Sequence, residues 1–356
     1  MNTYKIQDWV FRDALGKYDI DLGDSNAPCI TAGQVCETGD AILDYGTDRG
    51  GIALRQQVAA LYRRDPADIG VTHGSQEALY LIYRTVLAPG DHVIAFSPGW
   101  PQSWRVPTLI GCDLTVLPYA GDFSLDIPAI EAALRPDTRA VILNVPCNPT
   151  GRGIDIGQRR RLIQLIERRN TYLIADEEYL VDFDDSLVHL YQRALSVSSL
   201  SKVFGVPGLR LGWLCGPTEV VESAMEYKHL TTISNSTLCE RLGAKILAER
   251  EDHLARYRRL MYGGYEILRE WTRSHSANVQ MIEPDGTPFC WLRLGGVESS
   301  LEFCRRLLDR TRVLTMPAEL FGERQGLRLT FAREPAELEE GLRRIASLFL
   351  DRTTDA

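Results

Sequence analysis

AVILNVPCNPTGRGIDIGQRRRLIQLIERRNTYLIAD, residues 140–176, decides the fold class. It begins with an apolar run of strand length, AVILNVP. A turn and a basic amphipathic helix near Arg159 to Arg169 follow, and then a second apolar run, TYLIAD. Two strands joined through a helix need a crossover connection, which places them parallel in a sheet covered on both faces. The same alternation extends outward. Upstream lie a helix over Gln76 to Leu87, the strand HVIAF after a Pro-Gly-Asp turn, the loop SPGWPQSW, the strand DLTVLP and a helix over Ile127 to Leu134; downstream lies ALSVSS. The pattern predicts an α/β domain over residues 45–240 with a mostly parallel sheet. Beyond it come long helices rich in Glu, Arg and Leu (Leu238 to Trp271), short strands around PFCWLRL and GLRLTFA, and a terminal helix. These predict a smaller α+β domain over 241–356, with residues 1–44 packing against it as an arm.

The 356 residues, 44% apolar and 25% charged, are enough to bury the cores of two compact domains. Forty basic against 48 acidic residues leave a net charge of −8, with no basic footprint for nucleic acid. The charged opening MNTYKIQDWVFRDALGKYDIDLGD has no signal-peptide core. No apolar run approaches the roughly 20 residues needed to cross a bilayer. A cytoplasmic protein without a membrane partner is expected. Eight cysteines without a C-x-x-C pair suggest buried free thiols, and six scattered histidines suggest no metal site. G-x-G-x-x-G, G-x-x-x-x-G-K-[ST], H-E-x-x-H and G-x-S-x-G are all absent.

In open parallel sheets ligands settle outside the carboxyl ends of the strands. ALSVSSLSK ends there in Lys202, an amine placed to meet a ligand aldehyde, although a lysine after serines is by itself commonly a solvated surface residue. Arg210 follows eight residues later, and its planar fork suits a phosphate, as do the hydroxyls of Ser199 and Ser201. THGSQEAL puts Gly74, Ser75 and Gln76 at a helix N-terminus, where free N–H groups favour an anion. Trp100 sits in a Pro-Gly loop, Asn148 in the turn Asn-Pro-Thr-Gly, and Asp176 at a strand end with Tyr179 three residues on.

S-x-S-K with an arginine eight residues on resembles the attachment motif of the fold type I pyridoxal 5′-phosphate (PLP) enzymes, the aminotransferase class I and II family. The other segments match that family in order from Tyr45 to Arg328. The resemblance implies that Lys202 forms a Schiff base with PLP and that Ser199 and Arg210 hold its phosphate, with Gly74, Ser75 and Gln76. It implies further that Trp100 stacks on the ring, Asp176 pairs with the ring nitrogen, Asn148 and Tyr179 contact the 3-oxygen, and Asn148 also meets the substrate carboxylate. A carboxylate at the ring nitrogen keeps the pyridine protonated, so that the ring accepts the electron pair left by a broken bond at Cα. PAELFGERQGLRLTFA resembles the segment whose arginine, here Arg328, grips the substrate α-carboxylate; Pro317-Ala318 stands where the family usually has Pro-Gly. DYGTDRGGIALR resembles the segment whose tyrosine, here Tyr45, reaches the neighbouring subunit's phosphate, which implies a homodimer with shared sites.

In such an enzyme the freed lysine removes the Cα proton, and the fate of the electron pair decides the reaction. VTHGSQEALYL and SLSKVFGVPGLRLGW are similar to the capreomycidine synthase-like and lincosamide-pathway PLP enzymes. DIDLGDSNAPC departs from the usual aminotransferase L-G-x-G-x-P by carrying Asp24, Ser25 and Asn26, and Asn26 is a candidate for the substrate side; a solvated turn is the other reading. The expected function is action at Cα of an L-amino acid or conjugate in specialised, antibiotic-type metabolism, by transamination or by β/γ-elimination as a lyase or cyclase. An oxidase or oxidative decarboxylase is the alternative. A non-catalytic PLP sensor, which would carry a DNA-binding domain, is not expected with 44 residues before Tyr45.

Overall fold

The computed structural model describes residues 5–35 and 42–350. Its larger sheet has seven strands: β1 (Ile69–Thr72), β2 (His92–Ser97), β3 (Asp113–Pro118), β4 (Thr138–Asn144), β5 (Tyr172–Asp176), β6 (Ala194–Ser199) and β7 (Gly212–Cys215), in the spatial order β1-β7-β6-β5-β4-β2-β3. Pairings among β3, β2, β4, β5 and β6 are parallel, and β7 alone runs antiparallel between β6 and β1. The helices are α1 (Ile52–Tyr62), α2 (Gly74–Val86), α3 (Gln102–Ile110), α4 (Ile127–Ala133), α5 (Ile156–Glu167), α6 (Thr218–His229), α7 (Thr237–Ala248), α8 (Arg250–Ser274), α9 (Ser300–Thr311) and α10 (Pro335–Leu350).

The central strands are near-continuous apolar runs because both of their faces are covered. Along β4, Val141 and Leu143 enter the core on one side of the sheet while Ala140 and Ile142 enter the core on the other. The edge strand β3 is exposed or half-buried at every position, as a strand with one unpaired margin allows. The segment SPGWPQSW, expected as a loop, turns into α3 at Gln102. Pro101 supplies the helical φ at its start, which offsets the loop signal of the preceding Pro-Gly.

The smaller sheet pairs β8 (Val279–Ile282), β9 (Phe289–Leu294), β10 (Met316–Pro317) and β11 (Leu327–Thr330) in the order β10-β11-β9-β8. Its core contains Trp291, Phe303, Phe321 and Phe331 together with Ile6, Trp9, Ala14, Ile20 and Leu22 from the start of the chain. Ile20 and Asp21 pair in parallel with Val313 and Leu314, and Trp9 Nε1 donates to the carbonyl of Thr315 at 3.1 Å. The long helix α8 joins the two cores: Leu254 and Tyr257 pack below the larger sheet, Leu268 with the smaller one.

The cysteines of the described residues are free thiols; Cys147, Cys215, Cys290 and Cys304 are buried, but Cys29 is exposed, and Cys36 lies outside the described residues. No helix among the described residues is long and apolar enough to cross a membrane.

Candidate active site

Parallel strands deliver their carboxyl ends to one edge of the sheet, and there the loops after β4, β5 and β6 meet the start of α2 around a cavity of about 600 Å³. Nine of the residues to which the family resemblance assigns a role line it: Ser75, Gln76, Trp100, Asn148, Asp176, Tyr179, Lys202, Arg210 and Arg328.

The floor is a set of buried polar groups. Asp176 at the end of β5 is 5% exposed, and its carboxylate accepts a long hydrogen bond, 3.4 Å, from the backbone N–H of Glu178. Burial, reinforced by the neighbouring charge of Glu178, pushes its carboxyl up to about 8. Asn144 holds the next turn in place: its Nδ2 donates to the carbonyl of Asp176 at 3.0 Å, and its Oδ1 accepts the backbone N–H of Asn148 at 2.5 Å. Asn148 then relays to both sides. Its Nδ2 donates to Tyr179 Oη at 3.3 Å, and its Oδ1 accepts from Arg328 Nη1 at 2.6 Å. Tyr179 donates in turn to Ser25 Oγ at 2.9 Å. Burial pushes the Tyr179 phenol well up, against the nearby positive charge of Arg328.

Arg328, on β11, is 3% exposed and lies between the rings of Phe289 and Phe321. Its second Nη donates to the carbonyl of Gly23, while its buried Nε has no partner. A buried guanidinium at the cavity lining, with one N–H left unpaired, suits an oxyanion.

At the opposite end, Gly74 opens α2 at φ +74°, and a Cβ there would stand 2.8 Å from an Nη atom of Arg210. Gly212 lets β7 approach just as closely, since a Cβ would fall 2.6 Å from the backbone nitrogen of Ser75. Arg210 itself holds a left-handed φ of +50°, with Nη1 donating to the carbonyl of Pro207 at 3.0 Å. Strained backbone of this kind persists where the surroundings demand it. Trp100 Nε1 donates to Gln76 Oε1 at 3.1 Å, which ties the indole to the same helix start. Lys202 is half-buried at the cavity, and its carbonyl accepts the N–H of Ala27 at 3.0 Å.

Four candidates stand outside the cavity lining. Gly74 contributes only backbone behind Ser75. Ser199 is buried, and its hydroxyl donates to Glu178 Oε2 at 2.9 Å. Asn26 turns away, with Nδ2 donating to the carbonyl of Ala27 at 3.1 Å; its neighbours Asp24 and Ser25 line the cavity instead. Tyr45 is 81% exposed and makes an isolated bridge to Ser236. The ring of Trp104, in the first turn of α3, lies against Gly99 and Gly322, outside the cavity lining.

Two features escape the sequence reading. Glu178 is a second carboxylate of the floor, 6% exposed. The outer wall is apolar and comes from Ile6, Val10, Phe11, Leu15 and Tyr18. The acidic residues that directly follow Asp176 at a strand end are a usable signal for Glu178. The wall has no such signal, because it depends on how the first helical segment docks.

These groups fit PLP. A phosphate suits the donors at Ser75, Gln76 and Arg210, an indole flanks the cavity, and the poorly partnered carboxylate of Asp176 needs a cationic N–H such as a protonated pyridine supplies.

The aminotransferase class I and II family model matches residues 14–345. Capreomycidine synthase of Streptomyces vinaceus is 30% identical over 96% of this chain and 92% of its own length. Among solved structures, a PLP-dependent cyclase superposes with a TM-score of 0.89 at 26% identity, covering 99% of this chain and 98% of its own. A PLP-dependent aminotransferase of Streptococcus suis reaches 0.92 at 24% identity, covering 98% and 97%, a likeness of fold. The chain is an enzyme of the aminotransferase class I and II family, with the PLP-dependent transferase fold and pyridoxal 5′-phosphate as its cofactor.

Proposed function

We propose that this enzyme acts at Cα of an L-amino acid or an amino-acid conjugate of specialised metabolism, by transamination or by loss of a β or γ substituent. One observation carries the reading: the buried guanidinium of Arg328 lines the same cavity as Lys202 and Asp176. An α-amino acid bound with its carboxylate on Arg328 presents its amine and Cα to the floor. PLP bound there supplies an electron sink for the pair released at Cα.

In this reading Lys202 holds the cofactor, and once displaced its amine takes the Cα proton. Asp176 keeps a proton at the ring nitrogen. Asn148 and Tyr179 place N–H and O–H donors beside the ring's oxygen, and Ser75, Gln76, Ser199 and Arg210 hold the phosphate with Gly74 giving them room. Trp100 covers one ring face. Asp24 and Ser25, rather than Asn26, meet the substrate side chain. Tyr45, exposed alongside Ile42, Leu43, Leu230 and Ile233, belongs to a homodimer contact and reaches the partner's phosphate. The chain divides functionally into the arm 1–44, a PLP-binding domain 45–240 and a small domain 241–356, working in the cytoplasm on a small-molecule substrate. The similarity to capreomycidine synthase and to a PLP-dependent cyclase supports ring closure or elimination.

Mass spectrometry of products from a panel of amino acids and thiol conjugates, with and without a 2-oxo acid and oxygen, tests this. Acceptor dependence marks transamination, and loss of a side-chain fragment without acceptor marks elimination or cyclisation. Strict oxygen dependence overturns both and makes the enzyme an oxidase or oxidative decarboxylase.

A further inference from the structure

Just past the end of β5 the acidic residues divide between two sides. Glu177 turns away from the cavity, where its carboxylate accepts from Ser186 Oγ at 2.6 Å, Ser196 Oγ at 2.5 Å and Leu187 N at 2.9 Å. Asp176 and Glu178 face the cavity on the same side. Glu178 accepts the hydroxyl of Ser199 at 2.9 Å and also that of Ser75. Those two hydroxyls, from β6 and from the first turn of α2, belong to the set assigned above to the phosphate. The carboxylate of Glu178 and a phosphate therefore draw on the same donors.

Charge sharpens the conflict. The cations facing Glu178 are Lys202 and Arg210, from the loop after β6. Two residues before it, at the end of β5, Asp176 is a further negative charge toward the cavity, while Glu177 is satisfied elsewhere. At the start of α2, His73 and Glu77 bond each other. Arg328 is the remaining cation of the cavity lining among the described residues, and it is committed to Asn148 and Gly23. A phosphate dianion added to this arrangement has no additional cation to meet it among those residues. Like charges sharing one desolvated site are relieved when one of them takes a proton. A protonated Glu178 also gains an O–H that can donate to a phosphate oxygen, so that Ser199 and Ser75 are free to turn to the same group.

We propose that Glu178 is a proton-carrying wall of the phosphate cup: as the cofactor's phosphate enters, Glu178 takes one proton from solvent, and the proton returns to solvent when the phosphate leaves. Burial already favours the protonated carboxyl, against the opposing influence of Lys202 and the two serine hydroxyls. The role rests on the proposed placement of the phosphate at Ser75, Ser199 and Arg210.

The test is calorimetry of PLP binding to the apoprotein near pH 8, in buffers of different ionisation enthalpy, with pyridoxal as the ligand lacking the phosphate. Glu178→Gln is expected to take up roughly one proton fewer per PLP than the parent. Across rising pH, its PLP affinity should gain on the parent by up to about tenfold per unit. With pyridoxal the parent and the variant should take up equal numbers of protons. If Glu178→Gln does not fold, judged by circular dichroism, Glu178→Ala should show the same loss of one proton. Equal proton counts with PLP, alongside a visible absorption band that depends on Lys202, overturn the role of Glu178 and leave the cofactor site standing. Absence of that band in the parent overturns both.

Discussion

The two walls of the cavity are built on opposite principles. The floor hangs from the carboxyl ends of β4, β5 and β6. Its groups are buried and bonded to one another in a chain running from Asn144 through Asn148 to Arg328 on one side and to Tyr179 and Ser25 on the other. The outer wall is a short helical stretch, Lys5–Asp8 continuing as Trp9–Ala14, which is anchored by Trp9 but leaves Phe11 62% and Leu15 61% exposed at the cavity mouth. A satisfied buried network is rigid, and disturbing one member leaves the others unpaired. An apolar rim carries little polar constraint and tolerates change. The floor is thus suited to chemistry shared with many relatives, and the rim to choosing a side chain.

The contrast is broken most severely at Lys202. Lys202→Ala should lose the visible, borohydride-reducible band of bound PLP and lower kcat by at least about 10³-fold, since both attachment and general-base action go; retention of the band would remove the lysine from its role. Next in size, Arg328→Ala should raise KM for an α-amino acid roughly 100-fold, as expected for losing a buried charge-assisted pair of bonds. An unchanged KM in steady-state kinetics would detach the carboxylate from this residue.

Asp176 separates stability from activity. Its carboxyl is raised from 3.8 to about 8, so in the apoprotein its contribution to stability is fully present below about pH 4 and is lost as the pH rises toward 8. Asp176→Asn should therefore raise the apoprotein Tm at neutral pH, on the order of 4 °C, with little gain at acid pH, while kcat falls; calorimetric scans of the apoprotein at both pH values check the sign. Tyr45→Phe should weaken PLP binding about fivefold, the loss of one hydrogen bond. An active monomer at high dilution would place Tyr45 outside the site. Phe11→Ala, at the rim, should change kcat/KM less than about threefold for small substrates and mainly shift preference among side chains, measured over a panel of substrates.

Much of the floor is legible in the sequence. Apolar runs covered on both faces announce parallel strands, and polar residues just past those runs announce the site: Asn148, Asp176 and Lys202 each stand at or beyond a strand end. Local pattern suffices there because chain direction and side-chain alternation are properties of neighbouring residues. Where a side chain turns within a loop is a different matter. DSNA contains three polar residues in succession, and only the bond from Tyr179 to Ser25 and the grip of Arg333 on the carbonyls of Asp24 and Asn26 set Ser25 toward the cavity and Asn26 away. Tyr45 lies 81% exposed, and its role rests on the proposed homodimer. The strand–helix alternation and the residue types at the strand ends were determined by the sequence itself. The tertiary structure alone decided that Glu178 joins Ser75, and that the first helical segment walls the cavity, because those contacts bring together residues far apart along the chain.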